Sequence, residues 1–188
     1  YSHNDNRSHL YNILATLASI NIYKDINKIK KDNFLNLQPP KGRGDISKVK
    51  LKDKKIFLVD ETYNSNPLSL KTAIENYDKI KLKNSKKYLI LGDMLELGKY
   101  SRKLHSDVAK IINKSSISKV YVYGNNIKET FNKIKPQKKG RILKDKMQLQ
   151  DFFKIDLNNN DYLLVKGSNA TGLNSLISKI KLGKLNAL

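Results

Sequence analysis

Three apolar runs of strand length each end abruptly in polar residues. Ile56–Val59 stops at Asp60-Glu-Thr-Tyr-Asn, Tyr88–Leu91 at Gly92-Asp-Met-Leu-Glu, and Tyr162–Val165 at Lys166-Gly-Ser-Asn. Helical patterns separate the runs. Strands and helices in alternation predict an α/β fold: a Rossmann-like, mostly parallel sheet flanked by helices. If the three runs are parallel strands, their polar ends gather on one edge of the sheet. That edge is where open α/β sheets bind ligands.

The chain in order fits this frame. Apolar Leu10, Ile13, Leu14, Leu17 and Ala18 recur at helical spacing over 8–20, with Ser8 as candidate N-cap. A second short helix is expected over about 25–34. Residues 36–44, with paired Pro39-Pro40 and with Gly42 and Gly44, read as a linker, and the domain boundary falls there. Beyond it, Ile46–Lys50 reads as a short edge strand, followed by a turn over 52–54. Further helices are expected over 68–80, 101–112, 126–134, 146–153 and 173–180. Further strands are expected over 120–123 and 141–143. Pro67 suits a first helical turn, where a missing N–H costs nothing. Asn66 reads as the residue that fixes the turn before it.

Composition bounds the function. No cysteine is present, so disulfide and thiolate chemistry are excluded, which fits a cytoplasmic protein. His3, His9 and His105 lack zinc spacing. No apolar run reaches membrane-spanning length. The formal net charge of +20 invites a nucleic-acid reading. Against it, the only arginines are Arg7, Arg43, Arg102 and Arg141, while lysines spread over nearly every segment. Arginine is the residue suited to planar phosphate and base recognition. Dispersed lysine reads as a composition bias on solvated surfaces, and no specific nucleic acid is expected. The chain starts at Tyr1, which reads as a piece of a longer protein.

No Walker pattern, dinucleotide fingerprint or nucleophile elbow occurs. The strand-end edge would collect Asp60, Asp93, Lys166, Ser168, Asn64 and Asn169, a set suited to a phosphorylated or zwitterionic ligand. From the residues alone, the chain reads as a Rossmann-like ligand-binding domain without an assigned reaction. A free-standing nucleotide-binding module and a basic nucleic-acid-binding protein both stay open at this point.

Five segments then resemble the Mur ligase family, and within it the ligases that add D-Ala-D-Ala to UDP-MurNAc-tripeptide. They are Asn12-Ile-Leu-Ala15, Pro40-Lys-Gly-Arg-Gly44, Asp60-Glu-Thr-Tyr-Asn-Ser-Asn-Pro67, Gly92-Asp-Met-Leu-Glu-Leu-Gly98 with His105 and Val108-Ala109, and Leu164-Val-Lys-Gly-Ser168. One departure stands out: the family's Arg-His pair before the first segment is Arg7-Ser8 here, followed by His9. The resemblance implies that residues 1–40 are the end of a central ATPase domain plus hinge and that 41–188 are the C-terminal domain. It implies ATP and Mg2+ as cofactors, with the catalytic groups and magnesium ligands in a preceding segment. The implied partners are UDP-MurNAc-tripeptide, D-Ala-D-Ala and the rest of the ligase chain, without a membrane.

It also implies roles. Arg43, Asp60, Tyr63 and Asn64 would bind ATP, with Asp60 accepting hydrogen bonds from the ribose. Asp93 and Glu96 would face the dipeptide ammonium, although Glu96 stands equally as a helix cap. Lys166 and Ser168 would hold a carboxylate. His105, inside a helical pattern, reads as packed or capping rather than catalytic.

Overall fold

The computed structural model describes residues 7–34, 41–51 and 53–184. Residues 1–6, residues 36–40 of the linker, Lys52 of the expected turn and the capping side chain of Ser8 lie outside the described residues. The chain divides into two compact units, Tyr1–Pro40 and Lys41–Leu188.

In the first unit, α1 runs Arg7–Asn21. The helix expected over about 25–34 is instead two short 3-10 turns, Ile26–Lys28 and Lys31–Phe34. The Asp25 side chain caps the first by accepting the Asn27 N–H, and Ile29 is already extended at ψ 122°. Short polar side chains such as Asp25 compete for backbone groups in this way and favour turns over helix interiors.

The second unit is built on six strands: β1 (Asp45–Leu51), β2 (Lys54–Glu61), β3 (Lys87–Gly92), β4 (Lys119–Tyr123), β5 (Lys139–Leu143) and β6 (Tyr162–Lys166). Their spatial order is β1-β2-β6-β3-β4-β5. Only β1 is antiparallel to its neighbour; every other pairing is parallel. The mostly parallel sheet is therefore as expected. The last strand, β6, inserts between β2 and β3, which brings all three polar strand ends side by side.

Helices α2 (Pro67–Asp78), α3 (Ser101–Lys114) and α4 (Lys128–Lys133) follow β2, β3 and β4. α5 (Lys146–Asp151) follows β5 and α6 (Leu173–Lys181) follows β6. Alternate residues of β3 feed two separate cores. Tyr88 and Ile90 join Leu58, Leu163, Phe152 and Ile177, while Leu89 and Leu91 join Val59, Ile74, Ile112 and Leu164. This double coverage explains why the β3 sequence is apolar without alternation.

Local chemistry sets the boundaries. Asn66 is the N-cap of α2, forms a reciprocal capping box with Ser69, and places Pro67 at the first helical position. α4 begins two residues later than expected, because the loop before it is tied to Asp93. α5 gives way to a π turn, Phe152–Asp156, that carries both Phe152 and Phe153 into the core.

Candidate ligand cleft at the strand ends

Three loops meet above the carboxyl ends of β2, β3 and β6. They enclose a cleft of about 460 Å³. Tyr63 and Asn64 line it from the first loop, Leu95 and Glu96 from the second, and Ser168 to Ala170 from the third. A smaller pocket of about 130 Å³, bordered by Tyr123, Leu149 and Leu176, contains none of the sequence-predicted residues.

The first wall is an aromatic platform. Tyr63 is 47% exposed, and the Arg43 guanidinium stacks over its ring at 4.3 Å. Such a cation–π pair holds both groups in place. The backbone supports the pair: the Tyr63 N–H donates to Gly42 O at 3.1 Å. Gly42 has φ +77°, and a Cβ there would meet Tyr63 N at 3.0 Å, so the close approach needs glycine.

The second wall is the Gly92–Gly98 loop. His105 of α3, fully buried, accepts the Met94 N–H through Nε2 at 3.0 Å. Its Nδ1 lies 2.8 Å from Ser101 O, so Nδ1 carries the proton and the ring is neutral. His105 is thus a packed fastener, in the role its helical setting suggests. Leu95 N–H donates to Ser168 Oγ at 3.1 Å, joining this loop to the third. Glu96 is exposed at φ +62°, a conformation side chains rarely adopt, and it faces the cleft rather than capping a helix.

Beneath the platform lies an ion pair. Lys166, 1% exposed, donates to Asn64 O at 2.8 Å and approaches Glu61 Oε2 at 3.5 Å. Burial lifts the Glu61 carboxyl above its usual range, although Lys166 pulls it down. Burial likewise depresses the Lys166 ammonium against the attraction of Glu61. Ser65, in the same turn, keeps a buried hydroxyl with no hydrogen-bond partner among the described residues.

Of the sequence-predicted residues, Tyr63, Asn64, Glu96 and Ser168 line the cleft, and Arg43 stacks on its wall. Three others are placed differently. Asp60 is 3% exposed; its Oδ1 accepts from the Thr62 N–H and Oγ1, and its Oδ2 from Lys181 at 2.6 Å. Its carboxylate is therefore engaged inside the chain, not presented to a ribose. Asp93 turns sideways and accepts the Asn125 and Ile127 N–H groups at 3.1 and 2.7 Å, organising the loop after β4 rather than facing a dipeptide. Lys166 supports the Asn64 loop from below rather than reaching into the cleft for a carboxylate. Sequence reasoning missed Lys181, which bridges Asp60 and Asp45. One lysine among so many carries no signal.

Residues 47–169 match the family described as Mur ligase, glutamate ligase domain. The chain belongs to the Mur ligase family. It is 27% identical over 88% of its length to the UDP-N-acetylmuramoyl-tripeptide–D-alanyl-D-alanine ligase of Rickettsia prowazekii, and covers 36% of that protein. To the ligase of the same name from Haemophilus influenzae it is 31% identical over 67% of its length, covering 27% of that protein. The chain thus spans about a third of the length of these curated relatives. The crystal structure of MurF ligase from Thermotoga maritima, in complex with ADP, shares its fold with a TM-score of 0.75 at 23% identity, covering 97% of this chain and 39% of that one.

The cleft lies at the carboxyl edge of the parallel strands, where open α/β sheets receive ligands. Among the described residues no group of three or more His, Cys, Asp or Glu could hold a metal ion. None of the described helices is long and apolar enough to cross a membrane.

Proposed function

We propose that this chain is the C-terminal part of an ATP-dependent ligase of peptidoglycan precursor synthesis. The reaction joins D-Ala-D-Ala to UDP-MurNAc-tripeptide in the cytoplasm, with neither a specific nucleic acid nor a membrane as partner. Residues 1–40 are then the end of the ATPase domain with its hinge, and 41–188 the C-terminal domain. The observation that carries the reading is the family match over 47–169, which includes every cleft-lining residue except Ala170. The relatives' names supply the substrates.

The chemistry fits the walls. ATP converts the tripeptide carboxylate to an acyl phosphate, which the dipeptide amine attacks, expelling phosphate. The Arg43–Tyr63 stack offers a flat face to a base or ribose and a cation to a phosphate, so this wall takes the nucleotide side with Asn64. Glu96 offers an exposed carboxylate to the dipeptide ammonium, and Ser168, whose Oγ accepts the Leu95 N–H and donates to Ser65 O, braces the wall beside it. Asp60, Asp93 and Lys166 act as organisers of these loops. Among the described residues no cluster of His, Cys, Asp or Glu would hold Mg2+, and none is assigned a role toward that ion.

These groups bind and orient. Orientation alone supplies a large part of the acceleration of a two-substrate reaction, and closing the cleft keeps water from the acyl phosphate. The test uses the complete polypeptide that contains this sequence. ATP-dependent phosphate release should require the tripeptide and D-Ala-D-Ala together, and Arg43→Ala should raise the KM for ATP roughly tenfold, the loss of one or two good charge-assisted contacts. Phosphate release indifferent to D-Ala-D-Ala would rule the reading out.

A further inference from the structure

We infer that Lys181, at the end of α6, is a positioning residue for the nucleotide side of the cleft. It acts through Asp45 and Asp60 on the Arg43–Tyr63 stack, and the inference rests on the ligase reading above for what that stack binds.

The path is short and made of direct contacts. Lys181 Nζ donates to Asp45 Oδ2 at 2.5 Å and to Asp60 Oδ2 at 2.6 Å. The other oxygen of Asp45 accepts the Gly42 N–H at 3.0 Å. Asp60 holds the opposite side of the same turn. Its backbone carbonyl accepts the Gly44 N–H at 2.8 Å, and its Oδ1 accepts the Thr62 N–H at 3.1 Å. Arg43 lies between Gly42 and Gly44, and Tyr63 follows Thr62. One ammonium therefore fixes both sides of the stack while touching neither Arg43 nor the cleft.

Charge explains why lysine is needed. Asp45 and Asp60 sit opposite each other in the β1–β2 register, on the antiparallel edge pair. Two carboxylates so close repel unless a cation or a proton lies between them. Lys181 is the cation, and the hydrogen bonds and charges of both acids outweigh burial and keep it firmly protonated. Gly42 and Gly44, at φ +77° and +89°, add no side-chain packing to hold the turn once the ammonium is gone.

The experiment compares wild type, Lys181→Met, Lys181→Arg and the double variant Lys181→Met/Asp45→Asn. ATP kinetics are followed in the complete polypeptide, and the Arg43 side-chain NMR shifts, moved upfield by the Tyr63 ring, in the 188-residue chain. Lys181→Met should raise the KM for ATP roughly tenfold and leave kcat within about twofold, well short of the hundredfold cost of a 1 Å misplacement of reacting groups. It should also return the Arg43 shifts toward random-coil values. Lys181→Arg should restore most of both, and the double variant, with the repulsion removed, part of both. A Lys181→Met protein with unchanged Arg43 shifts, or with altered shifts and unchanged KM, would overturn the inference. Should Lys181→Met fail to fold, the double variant and Lys181→Arg decide by the same two readouts. A wild-type protein with no ATP response would sink the ligase reading instead, and the Arg43 shifts alone would still decide whether Lys181 holds the stack.

Discussion

His105 Nε2 accepts the buried N–H of Met94 at 3.0 Å, fastening the loop after β3 to helix α3. Removing the ring leaves a buried donor unpaired and a cavity behind it. His105→Ala should therefore cost about 3 kcal/mol, one lost buried hydrogen bond plus the void. Urea denaturation of the chain measures this. A midpoint equal to wild type would mean that the loop holds its shape without the ring.

Gly124 should tolerate no side chain while Asp93 is in place. Its φ is +139°, and a Cβ there would lie 2.5 Å from Asp93 Oδ1. Gly124→Ala must push the carboxylate off the Asn125 and Ile127 N–H groups. We expect a loss of about 2–4 kcal/mol, combining backbone strain with broken charge-assisted bonds. Groups in contact are not additive, so the same change should cost less in an Asp93→Ala background. Equal costs in both backgrounds would contradict the crowding.

The Lys166–Glu61 pair should behave as a buried ion pair. Lys166→Met strips the partner from Glu61 and the donor from Asn64 O. Breaking such a pair from one side costs about 3–5 kcal/mol, whereas replacing both charges is often close to neutral. The double variant Lys166→Met/Glu61→Gln should therefore be more stable than Lys166→Met alone, though short of wild type because Asn64 O stays unpaired. Thermal melts of the three variants would show the ordering; a double variant less stable than Lys166→Met would reverse the argument.

Asp78 should make part of the stability depend on acid pH. Burial raises its pKa, but hydrogen bonds from the Ser116 N–H and Oγ, with the charges of Lys87 and Lys138, prevail and hold it below its usual 3.8. A group with a depressed folded pKa stabilises fully above its unfolded value and loses that contribution as pH falls through the folded value. Asp78→Asn should thus be less stable than wild type at pH 6, and the gap should narrow below about pH 4 as wild-type Asp78 takes up its proton. Denaturant midpoints at several pH values test this. A gap of constant size would show that Asp78 acts only through shape.

Local pattern carried much of the fold. The apolar runs ending at Asp60, Gly92 and Lys166 became adjacent parallel strands, as their alternation with helices required. The Asn66-Pro67 helix start was legible because capping chemistry acts within four residues. Over 25–34 two short 3-10 turns replace the expected helix, and the Asp25 side chain accepts the Asn27 N–H there, a local bond that periodicity does not register.

The site was legible only in part. Their positions after apolar strand runs put the loops of Tyr63, Asn64, Glu96 and Ser168 at the cleft. Which charged groups are free there depends on long-range contacts. Asp60 is engaged by Lys181, 121 residues away, and Lys181 also reaches Asp45 across 136 residues. Asp93 is spent on N–H groups 32 and 34 residues downstream. A carboxylate written at a strand end looks the same whether it faces a ligand or a distant lysine. Hydrogen-bond partners so far apart in sequence are chosen by the packing of α6 and the β4 loop against the sheet, and no local pattern records that choice.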